Sequence, residues 1–376
     1  MRIAHLANMY GPKSGGLRTT VDRLAIEYAK RGHQVLIVTP DKTYSEYDTD
    51  AIRKITIKSP LLPGSGGYRI ITNLRTVRTA LESFAPEVIE ISDRTTLLAL
   101  LPWAKRKGFH VTLFAHERLN EVGKIFFPLI PGKSRLVRKW NSWSRAYVDR
   151  LIATTTFAAQ EFEEFGEVAV VPLGVDHEVF YLRESWHNYL MMPAGRYLFA
   201  CTRLSKEKDP RFLLEVAIEM KRRGIELPLV IAGSGPLVKN LEDVISEHSL
   251  DVRLIGYIND KATLAQYMGK ASVFLAPGPI ETFGLAALES LAVGTPVICR
   301  SSGAISEVIS ERCGRALHRD ASNWVDEIEN LLSIDRSLLA CWATERAKGF
   351  SWQKTAQSLE QIYQEFDNQP RFTHVA

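Results

Sequence analysis

Several protein classes are excluded by what the sequence lacks. None of its 376 residues fall in an apolar run near the ~18 residues that span a bilayer. Met1-Arg2-Ile3-Ala4-His5 lacks the basic-then-apolar order of a secretory signal, so a cytoplasmic location is expected. Cysteine is sparse, and Cys201, Cys299, Cys313 and Cys341 form no CxxC pair. That argues against a metal knuckle or redox motif and leaves reduced structural thiols. The absence of GxxxxGK[ST] removes the P-loop nucleoside triphosphatases. The fingerprint GxGxxG is missing from the first glycine-rich turn, and no acidic residue closes the run Val35–Val38. Both points disfavour a dinucleotide-binding oxidoreductase. Asp48-Thr49-Asp50 resembles a metal–nucleotide motif, but it lies in a polar loop far from that turn, and no metal site is expected there.

What is present is ordinary globular usage, with 45% hydrophobic and 24% charged residues, in a length that suits two large domains. The net charge of +4 hides an asymmetry. Residues 1–180 hold 25 Lys/Arg against 19 Asp/Glu, and the remainder 22 against 24. One domain is therefore expected to face an anionic partner. The excess gathers between Lys124 and Arg150. There Lys133, Arg135, Arg138, Lys139 and Arg145 are interleaved with Phe126, Phe127, Trp140, Trp143 and Tyr147. This basic-aromatic pattern fits an anionic membrane surface, and it fits equally a solvated helix with its aromatics packed inward. Nothing points to nucleic acid.

Apolar runs alternate with helical patterns. Ile3–Ala7, Val35–Val38, Val88–Ile91, Val111–Phe114 and Leu151–Thr154 read as buried strands, with Gly11–Gly16 as a glycine-rich turn before a helix from Arg18 to Arg31. The alternation restarts at Tyr197–Ala200 and continues through Leu229–Ala232, Val252–Ile255, Val273–Ala276 and Pro296–Cys299. The fold class is therefore α/β, two doubly wound Rossmann-like domains with a cleft between them. The expected division is 1–180, 190–350 and a final helix over 351–368 that returns to the first domain.

In such sheets ligands bind beyond the carboxyl ends of the strands. After Val273–Ala276 comes Pro277 to Glu289, in which a helix opens near Gly284. The first amides of that helix, at Gly284, Leu285 and Ala286, lack intrahelical acceptors and sit at the positive end of the dipole, a ready phosphate site. Glu281 and Glu289 flank it. If the span between them were fully helical they would stand roughly 12 Å apart, too far for a glycosidase pair but suited to the two ends of a long ligand. Arg203 and Lys208 bracket the loop after Ala200, where two cations can neutralise a diphosphate. Gly233-Ser234-Gly235-Pro236 is a third phosphate-compatible loop. Gly15 and Gly16 allow close backbone approach, and His116 follows the strand ending at Phe114.

Taken together, Glu281-x7-Glu289, Arg203-x4-Lys208, Gly233-x-Gly235-Pro236, Gly174-Val175-Asp176 with Phe180, and Gly15-Gly16 resemble the retaining glycosyltransferases of family 4, which have the GT-B fold. Tyr10–Thr19, Ile91-Ser92-Asp93-Arg94 and His116-Glu117-Arg118-Leu119 are similar to the actinobacterial GDP-mannose-dependent phosphatidylinositol mannoside α-mannosyltransferases of the dimannoside-extending type. The resemblance implies a hexosyltransferase that passes mannose from GDP-mannose to a glycolipid at the inner face of the membrane, with α linkage and no metal cofactor. It implies that Glu281 contacts the sugar hydroxyls, that Glu289 contacts the ribose, and that Arg203, Lys208 and the Leu285 and Ala286 amides hold the diphosphate. Gly15 and Gly16 would sit beside the donor phosphate or sugar and His116 near the anomeric carbon. Tyr257 and Ile258 would meet the base through their backbone. Arg135, Arg138, Lys139, Trp140, Trp143 and Arg145 would face membrane or acceptor. Retention without a nucleophile near His116 implies same-face substitution assisted by the leaving group. Two departures stand out: the family usually has Gly where this chain has Thr202, and often Gly where it has Asp209. Another nucleotide sugar, a soluble acceptor or a catalytically silent sugar-nucleotide binder are the alternatives.

Overall fold

A computed structural model describes residues 1–11, 14–62, 67–115, 133–185 and 192–367. It divides into two compact units, Met1–Leu173 with Trp352–Ala376, and Gly174–Ser351.

The first unit runs β1 (Arg2–Leu6), α1 (Gly16–Lys30), β2 (Gln34–Asp41), β3 (Ser45–Asp48), β4 (Ile52–Lys58), α2 (Leu74–Phe84), β5 (Val88–Ile91), α3 (Leu101–Arg106), β6 (His110–Ala115), α4 (Lys133–Arg145), β7 (Arg150–Ala153), α5 (Thr156–Ala159) and β8 (Val168–Val170). Its sheet has the order β3-β4-β2-β1-β5-β6-β7-β8. All pairs are parallel except β3 with β4. Leu36, Val38, Ile89, Ile91, Val111 and Leu113 are buried on the central strands, the consequence of covering a parallel sheet on both faces.

Two readings from sequence need correction. Strand β2 continues through Thr39 and Pro40 to Asp41, so an acidic residue does close it. That ground for setting aside a dinucleotide fold falls, although the glycine fingerprint is still missing. The Asp48–Asp50 segment is the end of β3 and its turn into β4, a hairpin rather than a loose loop.

The second unit runs β9 (Leu198–Cys201), α6 (Pro210–Arg222), β10 (Leu229–Ala232), α7 (Val238–Glu247), β11 (Val252–Gly256), α8 (Lys261–Lys270), β12 (Val273–Ala276), α9 (Leu285–Ala292), β13 (Val297–Arg300), α10 (Ile305–Val308), β14 (Gly314–Leu317), α11 (Ala321–Ser333) and α12 (Arg336–Ala347). Its sheet is parallel, with the order β11-β10-β9-β12-β13-β14. Trp324 of α11, fully buried, meets the Phe212 ring of α6 edge-on at 5.0 Å and 90°.

The last helix, α13 (Trp352–Asp367), belongs to the first unit. It is tied there by charge as well as by packing. The Glu360 carboxylate accepts from Arg31 Nε at 2.6 Å and lies 2.5 Å from His33 Nε2. Tyr363 and Tyr28 both donate their hydroxyls to Oε1 of Glu90, at 2.5 and 2.6 Å. Glu90 is fully buried on β5, and its Oε2 stands 2.6 Å from His5 Nδ1. A buried carboxylate is tolerable only with such partners.

Candidate active site

The strand order of the second unit reverses between β9 and β12, and there the loops from the two strand ends diverge, leaving room for a ligand. Arg203 and Lys208 follow β9; Glu281 and α9 follow β12. The structure brings them together. Lys208 Nζ donates to Glu281 Oε1 at 2.7 Å, with both side chains about three-quarters buried. Arg203 Nη1 lies 3.9 Å from Glu207 Oε1. Burial draws the Arg203 guanidinium below its ordinary pKa, opposed by the charges of Glu207 and Glu281. Glu289, on α9, reaches the end of β9: burial first, then the Glu289 charge, pushes the Cys201 thiol up to about 12.

Residues 281–284 are not helical; α9 begins at Leu285. Gly284 caps it with φ +91°, and a Cβ there would stand 2.4 Å from Ile305 Cγ1. The fully helical spacing considered for Glu281 and Glu289 therefore does not apply. The helix still leaves its first amides without intrahelical acceptors, at the end where the dipole is positive. Glu281 is fixed from behind: the Ala304 amide donates to its carbonyl at 2.9 Å.

The glycines Gly233 and Gly235 prove to have a packing reason. A Cβ on Gly233 would meet Thr202 O at 1.9 Å, and one on Gly235 would meet Leu204 O at 2.3 Å. The Thr202 amide donates to Ala232 O at 3.0 Å, Leu204 to Ser234 O at 3.1 Å, and Leu237 to Leu204 O at 3.0 Å. This loop is thus a cradle for the backbone that carries Arg203. Tyr257 and Ile258 follow β11, the outer strand, and Tyr257 is exposed.

Asp209, the departure noted above, has φ +46°, the left-handed region that glycine occupies without strain. The cost for another residue is of order 1–3 kcal/mol. Its carboxylate accepts from Arg300 Nη1 at 3.2 Å and from Arg319 Nε at 3.0 Å. Sequence reasoning missed Glu207, Arg300, Arg319 and the 302–304 loop. The one available signal was an aspartate standing where a glycine is usual.

In the first unit the reversal lies between β1 and β5. Asp93, after β5, accepts the Asn8 amide at 2.9 Å and ties the two strand ends together. Gly15 caps α1 at a negative φ of −66°, and among the described residues no atom beyond its chain neighbours lies within 4 Å of where a Cβ would stand. Gly16 opens the helix. His116, together with Glu117, Arg118 and Leu119, lies outside the described residues, as do Lys124, Phe126 and Phe127. On α4, Arg135, Arg138 and Lys139 are exposed, and Leu136 is 71% exposed. Trp140, stacked on Trp143 at 5.2 Å, donates its indole N–H to Arg94 O at 3.1 Å. Trp143 packs against the core, and Arg145 donates to Val148 O at 3.0 Å, so these two face inward. Among the described residues no helix is long and apolar enough to cross a membrane, and no group of three or more His, Cys, Asp or Glu could hold a metal ion.

Two parallel α/β units, one with cations and a helix N-terminus at its switch point, match a known class. Sucrose-phosphate synthase of Thermosynechococcus elongatus superposes with a TM-score of 0.80 at 20% identity, covering 98% of this chain and 99% of that one. The fold is GT-B. The family described as "Glycosyltransferase Family 4" matches residues 14–179, and "Glycosyl transferases group 1" matches residues 193–345. A "GDP-mannose-dependent alpha-(1-6)-phosphatidylinositol dimannoside mannosyltransferase" of Mycobacterium tuberculosis is 35% identical over 96% of this chain and 95% of its own length. A "D-inositol 3-phosphate glycosyltransferase" of an Arthrobacter species is 33% identical over 55% of this chain and 53% of its own. The chain belongs to the group 1/family 4 glycosyltransferases, and its activity is glycosyl transfer.

Proposed function

We propose that the protein is a retaining α-mannosyltransferase that uses GDP-mannose and a phosphatidylinositol mannoside acceptor of the dimannoside type. The observation that carries this reading is the Lys208–Glu281 pair, 2.7 Å apart at the β9/β12 switch point, with Arg203 alongside. The 35% identical mycobacterial relative supports the donor and the acceptor.

Chemistry assigns the parts. As the sugar–phosphate bond breaks, negative charge grows on the diphosphate and positive charge on the anomeric carbon. Arg203, Lys208 and the amides of Leu285 and Ala286 oppose the first. Glu281 accepts from sugar hydroxyls and Glu289 from the ribose, while Gly233 and Gly235 hold the Arg203 backbone in place. Tyr257 and Ile258 offer backbone groups to the base. The open backbone at Gly15 and Gly16 admits a close sugar or phosphate, and His116 acts near the anomeric carbon. The countercharge comes from side chains and amides, so no metal is assigned a role. With no nucleophile assigned, the leaving diphosphate assists attack on the same face. The exposed Arg135, Leu136, Arg138 and Lys139 of α4 support a peripheral association with the anionic inner face of the cell membrane.

Calorimetric titration with GDP and with UDP, followed by GDP-[14C]mannose and vesicles containing phosphatidylinositol dimannoside, tests the reading. GDP binding and label in the lipid, α-linked by NMR, are expected. Binding of UDP alone, or transfer only to a soluble inositol phosphate as the Arthrobacter relative's name indicates for that protein, would replace it.

A further inference from the structure

The Lys208 turn is held in place by a device outside the motif residues. Lys206–Lys208 form one 3-10 turn, closed by the Lys208 amide on Ser205 O at 3.0 Å. Such a turn has no regular ladder to fix its direction. The next residue, Asp209, takes φ +46° and then caps α6, so the path of the chain pivots there. A glycine at this point would supply the conformation and leave the pivot loose. Aspartate supplies a carboxylate that reaches Arg300 Nη1 at 3.2 Å. Arg300 is the last residue of β13, and the segment that follows it is the one that holds Glu281. The Ala304 amide donates to Glu281 O at 2.9 Å, and Ser302 Oγ donates to Pro279 O at 3.2 Å. The Asp209–Arg300 pair therefore joins the turn bearing Lys208 to the strand end supporting Glu281. Arg319 steadies the same carboxylate at 3.0 Å while its other nitrogens grip Glu215, the nearer at 2.5 Å. Both guanidiniums lie over the Phe212 ring, at 5.7 and 4.9 Å, which limits their swing.

We infer that Asp209, paired with Arg300, is a positioning residue that fixes where the Lys208 ammonium stands against Glu281. Its effect on donor binding rests on the function proposed above; its effect on Lys208 does not. The variants Asp209→Asn, Asp209→Gly, Arg300→Gln and the double Asp209→Asn/Arg300→Gln separate the possibilities. Asparagine and glycine both accept the left-handed backbone, so the pivot survives without its tether. Two readouts are taken on each. One is the rate at which N-hydroxysuccinimidyl acetate labels Lys208, measured by peptide mass spectrometry relative to exposed Lys239. The other is the calorimetric Kd for GDP and for UDP.

Each single variant should raise Lys208 labelling and weaken nucleotide binding by roughly fivefold to tenfold. The double variant should be no worse than Asp209→Asn alone, the mark of a shared interaction, since Asp209→Asn already removes the Arg300 contact together with that of Arg319. Unchanged Lys208 labelling, whatever happens to the melting temperature or to the Kd, would overturn the inference. Additive losses would overturn it as well. If the wild type binds neither nucleotide while the variants still unmask Lys208, the proposed function fails and the positioning role stands.

Discussion

The guanidinium of Arg203 and the ammonium of Lys208 are the two groups on which the proposed chemistry leans most. Replacing either with alanine should lower kcat about 10²–10³-fold, the usual loss for one preorganised electrostatic contact, with the melting temperature nearly unchanged. Steady-state kinetics beside calorimetric melting checks this; full turnover would sink the diphosphate assignment. Gly233 is a different kind of residue. With φ +146° and a virtual Cβ 1.9 Å from Thr202 O, Gly233→Ala must displace the Arg203 backbone. A loss of about 3 kcal/mol in stability is expected, read by denaturant unfolding. The residue types at the site were legible in the sequence, because cations and carboxylates after strands carry their meaning locally. The reason for Gly233 and Gly235 was not, since it lies in a loop some thirty positions earlier. Nor could spacing show that Gly284 turns the chain before α9, which undoes the helical separation considered for Glu281 and Glu289.

Among elements, the central strands were legible as continuous apolar runs such as Val35–Val38 and Leu229–Ala232. Of the edges, β11 was legible as Val252–Ile255, but two others were not: β3 is exposed along its whole length, and β14 reads Gly-Arg-Ala-Leu. A strand that pairs on one side only carries little of the apolar signal. Helix α13 carries a pH dependence. Burial works against the Glu360 charge, but hydrogen bonds from Arg31 and His33 outweigh it and hold the carboxyl below its ordinary 4.5. A carboxyl lowered in the folded state stabilises fully above its unfolded value and loses that contribution as pH falls below it. Glu360→Gln should therefore melt lower than the wild type near pH 7, and the gap should narrow as pH falls below about 4.5. A gap that stays constant with pH would refute the ionic account. For α4, wild-type protein should sediment with phosphatidylglycerol vesicles at low salt and release as salt rises. Each charge contributes about 1 kcal/mol, so Arg135→Glu/Arg138→Glu/Lys139→Glu should abolish binding. Failure of the wild type to bind at low salt would remove the membrane assignment.

At the scale of the whole molecule, two cores are built from a chain that leaves the first unit after Leu173 and rejoins it at Trp352. Ending the chain at Ser351 would strip Glu90 of the Tyr363 hydroxyl and His110 of its stack on Phe366, which lies at 4.9 Å. Hydrogen exchange on that truncated chain should show protection collapsing over β1, β2 and β5, while β9, β10 and β12 keep theirs. Equal loss across both units would contradict their independence.

The late return of α13 also sets an order of events at the ribosome. Domains of a growing chain ordinarily mature from the amino end. Here the segment containing β9–β14 is complete as soon as Ser351 emerges. The earlier-made sheet must wait, its acidic centre short of a phenolic donor, until α13 has emerged. A premature stop just before the codons for α13 would therefore spoil the unit whose sheet was translated earlier and spare the one made later.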